Sequence, residues 1–347
     1  MNFKGAIFAV IAILAITACR KKDTPCLPGE TCPQKDSVVK SVDVYIPGNA
    51  VFNDAPSYAS YWKNGKITKL MDGISGSGAS AIAIKDTDIY IAGWAAATNG
   101  KLVACYWKNG VITKLMDSSS LSAASSIAVN GNDIYVTGNI NTSHFNHIAA
   151  YWKNGVLTKL TDGTSVASAG SIALKGNDVY VLGSVSGTSV YWKNGQITNF
   201  TDGFSAGAIA IKNNDIYMAG SYNNLPAYSK NGVVVPIDIS GISISGSPPI
   251  GGSGISDIAI SGSDIYLAGS LSNGFQEMAI YWKNGVAVPL NDGVNATIAV
   301  NGSDVYVTAI DFSGNGVYWK NGVRYKPFVP QDVNSFYSVD IALRLHY

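Results

Sequence analysis

The chain is poor in the residues that metal sites and many catalytic sites lean on. In 347 residues it has three histidines, four cysteines and two glutamates. His144 and His147 share one segment, but no carboxylate at ligand spacing joins them, and His346 is penultimate, so no metal site is expected. With only Glu30 and Glu277, a paired-carboxylate glycosidase would have to draw on Asp, and Asp54 and Asp311 stand outside the repeated turn positions. Serines abound without a nucleophile elbow, and the "GGSG" at Gly251 to Gly254 lacks the lysine of a phosphate loop. No cofactor is called for. Charge is scarce as well: 14% of residues are charged, with 24 Lys+Arg against 23 Asp+Glu, so the basic excess that phosphate backbones require is missing and nucleic acid is excluded as a partner. No apolar run reaches the roughly 20 residues of a membrane-spanning helix.

What is present begins with "MNFKGAIFAVIAILAITAC". Lys4, an apolar run from about Ala6 to Ile16 and small residues before a cysteine read as an export signal. Ile16-Thr17-Ala18-Cys19 resembles the bacterial lipoprotein cleavage box, which implies a lipidated Cys19 as mature N-terminus and a protein tethered to the outer membrane, on its periplasmic side or at the cell surface. Cys26 and Cys32 flank Pro28-Gly29 and could close a small-loop disulfide, while Cys105 reads as a small buried residue. The expected organisation is a signal peptide at 1–18, a lipidated cysteine and flexible linker at 19–41, and one folded domain at 42–347.

That domain is tandem repetition. "YWKNG" starts at Tyr61, Tyr106, Tyr151, Tyr191, Tyr281 and Tyr318, with a degenerate "YSKNG" at Tyr228. "D-[IV]-Y" starts at Asp43, Asp88, Asp133, Asp178, Asp215, Asp264 and Asp304, and "I-A-[ILV]" at Ile82, Ile127, Ile172, Ile209, Ile258, Ile298 and Ile341. Each unit reads as four short β-branched and aromatic strands, with Asn-Gly marking a two-residue hairpin between the third and fourth. The three elements count seven each but are offset: the first unit lacks its "I-A-[ILV]" strand and the orphan copy, "VDIALRL", lies at the C-terminus. A ring closed by that strand has no free terminal edge. The chain therefore resembles the β-propellers: all-β, seven blades of four antiparallel strands, the first blade closed by the C-terminal strand. It lacks the WD40 and Kelch signatures and is similar to exported Gram-negative propeller lipoproteins, whose functions are mostly unassigned.

Alternation along a strand sends Tyr151 and Trp152 to opposite blade faces, so the repeated pair is expected in inter-blade packing. The seven Asp and seven Lys of the repeats should meet on the face that carries the tight turns and neutralise each other. The opposite face carries the loops in which the copies differ, and variable loops on a rigid scaffold are where function is expected. The candidate ligand-binding residues there are Phe52, Trp94, Phe145, Tyr222, Phe275 and Phe312, with Asn146 and Asn223, and further amides at Asn53, Asn99 and Asn273. The resulting expectation is a non-enzymatic, monomeric cell-envelope lipoprotein that binds a saccharide or protein ligand through this face and meets the membrane only through its lipid. The alternatives are a polysaccharide-acting hydrolase or lyase using Asp54, Asp311 or Glu277, or a structural surface-assembly component.

Overall fold

Asn154 and Gly155 both take positive φ, 51° and 82°, so the chain reverses in two residues and Lys153 comes to face Val156. The same left-handed asparagine recurs at Asn64, Asn109, Asn194, Asn231, Asn284 and Asn321. Each reversal joins the third strand of a blade to its fourth. In this computed structural model, which describes residues 39–52, 57–71, 76–142, 146–200, 203–244, 254–325 and 333–347, the strands form seven antiparallel sheets of sequential order. Blade 2, for example, runs Ser77–Lys85, Asp88–Ala96, Leu102–Lys108 and Val111–Lys114. Blade 1 is closed as its sequence offset requires: Val333–Ser338 and Ala342–His346 both pair with its N-terminal strand Ser41–Phe52.

The repeated polar residues interlock inside each blade. In blade 3 the Asn154 side chain donates to Asp133 at 2.8 Å and accepts from the Ile134 N–H at 2.9 Å, while the Lys153 ammonium sits 2.8 Å from Asp133 and 5.2 Å from the centre of the Tyr135 ring. The Asp–Lys pair recurs in all seven blades. In blade 2 the hydrogen bonds from Lys108 and Asn109 lower the Asp88 carboxyl to about 2. "K-N-G" and "D-x-Y" are thus two halves of one turn-stabilising cluster.

The core is distributed among the blade interfaces. Seven apolar clusters each join two neighbouring blades, and the cluster holding Tyr306, Trp62 and Phe336 joins the seventh blade to the first. Trp152 is fully buried between blades 2 and 3, whereas Tyr151 packs between blades 3 and 4, so alternation along one strand serves two interfaces. Cys105 is fully buried beside Trp107, and burial pushes its thiol far above the ordinary range. Near the axis the first strand of blades 2 to 7 is bulged. The bulge brings its backbone so close to the second strand that a Cβ on Gly138 would fall on the Ala123 carbonyl oxygen. This explains the glycine that ends "DIYVTG".

Candidate functional site

Of the candidate rings, Phe145 lies outside the described residues, as do Asn53 and Asp54. Phe52 is buried against Tyr58, with the Lys69 ammonium 3.6 Å from its ring centre. Trp94 lies over Gly78, and Tyr222 is half-buried in the interface of blades 4 and 5. Phe275 and Phe312 stand out in solvent, 94% and 64% exposed. The amides hold loops in shape: Asn146 donates to the Thr164 carbonyl, Asn99 to that of Ser118, and Asn273 accepts from the Phe275 and Gln276 N–H groups. Asn223 is exposed at a positive-φ turn position and its own N–H donates to the Gly203 carbonyl. Among the described residues, the candidate rings that are mostly exposed are Phe275 and Phe312, in the sector of blades 6 and 7.

Two open cavities meet in that sector. The larger, about 620 Å³, is lined by Asp292, Asp311, Phe312 and Arg324, and the smaller, about 260 Å³, by Ser243, Ile244, Gln276 and Glu277. Asn291 and Phe312 line both, so the two lobes form one groove with an exposed ring at its waist. Cavities of about 310 and 330 Å³ beside Phe200 carry no charged side chain.

Each polar group of the groove is delivered by a different loop or strand end. Glu277 opens the third strand of blade 6, Glu277–Lys283, directly after the loop that carries Phe275. Asn291 and Asp292 lie in the crossover from blade 6 to blade 7, and Asp311 and Phe312 between the second and third strands of blade 7. Asp311 nucleates its own loop: one carboxylate oxygen accepts from the Ser313 and Asn315 N–H groups at 3.0 and 2.9 Å. Its other oxygen meets Arg324 at 3.1 Å, and Arg324 also binds Asp292 at 2.8 Å. Both acids are thereby fixed, and the guanidinium is committed to them. Glu277 differs: its carboxylate makes no hydrogen bond or ion pair with the described residues. Among the described residues no three acids, histidines or cysteines converge as metal ligands.

Asp311 and Glu277 were visible as candidates from the sequence, whereas Asp292 and Arg324 were not. Asp292 hides in "NDG", a variant of the repeated "TDG". Arg324 carried a signal that went unread, since it replaces Ile67, Ile112, Leu157 and Ile197 at the second position of the fourth strand. A second unread departure sits near the axis. Asp257 and Asp340 directly precede "I-A-[ILV]", where the other copies have Ala81, Ser126, Ser171, Ala208 and Thr297. Asp257 accepts from the Ile258 N–H and, across the interface, from the Ile298 N–H at 2.8 Å; Asp340 accepts from the Ile341 N–H and reaches the Ile82 N–H of blade 2 at 2.9 Å. Removal from water, with the Asp340 charge adding to it, raises the Asp257 carboxyl to about 7, and removal from water raises Asp340 to about 6. These acids staple blades together at the axis, away from the groove.

No family model and no curated protein sequence matches this chain. Solved structures to which it is similar include the extracellular domain of a hybrid two-component system from B. thetaiotaomicron, at 11% identity and a TM-score of 0.46 over 76% of this chain. This chain spans 35% of the length of that structure. Others are a Trypanosoma rangeli sialidase mutant displaying trans-sialidase activity, at 9% identity and a TM-score of 0.43 over 80% of this chain and 57% of that one, and a GH43_1 enzyme from Xanthomonas citri complexed with xylose, at 11% identity and a TM-score of 0.34 over 74% and 91%. The expectation of a non-enzymatic binding protein is corrected at this point, because two of these similar structures are enzymes. A propeller assembles its sites from loops of different blades, so the lack of a linear catalytic motif does not argue against an enzyme. At such identities and TM-scores the likenesses concern the fold alone, and what the groove does has to be argued from its own residues.

Proposed function

We propose that the chain is a polysaccharide-acting enzyme of the hydrolase class, working in the groove of blades 6 and 7. The observation that carries this reading is the pairing, in one open groove, of the Glu277 carboxylate, which has no partner among the described residues, with the Arg324-held Asp292, the exposed Phe312 lining both lobes. Phe312 offers a flat apolar face on which a sugar ring stacks, and the exposed Phe275 directly precedes Gln276 and Glu277 of the smaller lobe. Glu277 is free to give a proton to the glycosidic oxygen as the bond to the anomeric carbon breaks. Asp292, oriented by Arg324, receives the proton of the attacking water. Asp311 keeps the Phe312 loop in place and is a positioning residue.

The test is release of reducing ends from a panel of polysaccharides by the purified protein, followed by the Glu277→Gln variant. Cleavage of at least one polymer, with turnover lowered about 10²–10⁴-fold in the variant, is the expected result. A panel left intact by the natural chain, or a variant of undiminished rate, overturns the reading.

The N-terminal segment lies outside the described residues, and we read it as the sequence suggests: an export signal at 1–18 followed by a lipidated Cys19. Among the described residues no helix is long and apolar enough to cross a membrane. Mass spectrometry of the mature N-terminus should show a diacylglyceryl adduct on Cys19, and an unmodified peptide cut elsewhere would remove the anchor.

A further inference from the structure

We infer that the tight-turn face is a docking surface for an anionic phospholipid bilayer, against which the lipid on Cys19 holds it; the inference rests on the reading of Cys19 as lipidated. The first observation is where the chain joins the ring. Ser41 pairs with His346, Tyr45 pairs with Lys63, and Lys40 donates its N–H to the His346 carbonyl at 2.7 Å, so the N-terminal segment attaches on the face of the tight turns. Even fully extended, the stretch of about 20 residues from Cys19 to Val39 spans no more than about 70 Å. A short tether on one face makes the effective concentration of lipid at that face high, so contacts too weak to bind alone become occupied.

The second observation is what that face displays. The residue after each Asn-Gly turn is valine in five of seven blades, and Val111, Val156, Val233, Val286 and Val323 are each between 60% and 71% exposed. They stand around the rim at the tips of the outer hairpins, a placement the inter-blade cores make no use of. The third observation is charge. The seven Asp–Lys pairs cancel, but Lys66, Lys85, Lys175, Lys212 and Arg344 lie at turns or strand ends of the same face. Asp86 is the further side-chain carboxylate among the described residues in these turns. Apolar tips interspersed with a cationic surplus fit the headgroup region of an anionic bilayer. Docking in this orientation leaves the loops that carry Phe275 and Phe312 on the aqueous side.

The test uses the full lipidated chain in vesicles of phosphatidylethanolamine and phosphatidylglycerol. A fluorophore is placed at Val156→Cys on the turn face or Thr98→Cys on the loop face, and lipids carrying a headgroup nitroxide act as quencher. The unsubstituted chain, labelled in parallel, corrects for Cys26 and Cys32. Flotation with the vesicles, quenching at position 156 and none at position 98 are expected. Replacing the other four valines, Val111, Val233, Val286 and Val323, together by threonine, which suits a strand equally well, should leave flotation intact and abolish the quenching at position 156. A chain that floats with position 156 unquenched, or whose quenching survives the fourfold substitution, refutes docking while leaving the anchor standing. A chain that fails to float refutes the anchor and the docking with it.

Discussion

The two faces of the ring are built from the same strands yet follow opposite rules. On the turn face every blade repeats one chemical solution, the Asp-Lys-Asn-Tyr cluster around an Asn-Gly reversal. On the loop face the connections between the second and third strands differ from blade to blade, and one sector gathers three acids, an arginine and the exposed Phe312. The repeated face can be uniform because its cluster needs only partners within the same blade, with Asn and Asp 16 to 21 residues apart in sequence. The variable face is free to diverge because its loops carry little of the inter-blade core. Repetition therefore marks what holds the ring, and its interruption marks where the candidate groove lies.

The comparison breaks most severely where the two faces share a strand. Deleting the chain from Tyr337 onward removes Ile341 from the interface of blades 7 and 1 and the partner of Ser41–Tyr45, and should leave a chain that unfolds or oligomerises, read by size-exclusion chromatography and circular dichroism. Next in size is Trp152→Ala, which empties a fully buried site between blades and should cost about 3–5 kcal/mol in denaturant unfolding. Asn154→Ala strips both bonds of the turn cluster and leaves a positive φ on a residue that resists it, for a loss of about 1–3 kcal/mol. Phe275→Ala, by contrast, should change stability by no more than about 0.5 kcal/mol while weakening polymer binding, since the ring touches solvent and little else. If Phe275→Ala destabilised the fold as much as Asn154→Ala, the separation of the faces would fail.

A pH series sharpens the same contrast from the axis. Asp257 and Asp340 are raised in the folded protein, to about 7 and about 6, above the ordinary 3.8. The folded state therefore binds more protons than the unfolded one between those values, and stability falls as pH rises from about 4 through 7. The turn-face acids act in reverse: their depressed values add stability above the ordinary carboxylate range and lose it as the pH drops below about 4. The melting temperature should therefore be highest near pH 4–5, and Asp257→Asn should flatten its decline toward neutrality. A natural chain whose melting temperature rises between pH 5 and 8 would count against the axial acids.

Much of this molecule was legible in one dimension. Period-two alternation and Asn-Gly turns are local properties, so strand positions, blade count and the offset that closes the ring could all be read from spacing. The mutual neutralisation of Asp and Lys followed from antiparallel pairing alone. The groove was less accessible: Asp311 and Glu277 stood out as acids outside the pattern, but the six aromatic loops could not be ranked without burial. Phe52 and Phe312 look equivalent in sequence, and one is buried beneath a lysine while the other faces water.

The sequence by itself determined the ring, because in six blades the hydrogen bonds and turns are specified within roughly 45 residues and then repeated, and the offset of the copies assigns the C-terminal strands to the remaining blade. The tertiary structure alone decided the site. Glu277, Asp292, Phe312 and Arg324 come from four separate segments of two blades, and the packing of blade 7 against blade 6 is what holds those segments side by side. No spacing along the chain encodes that proximity.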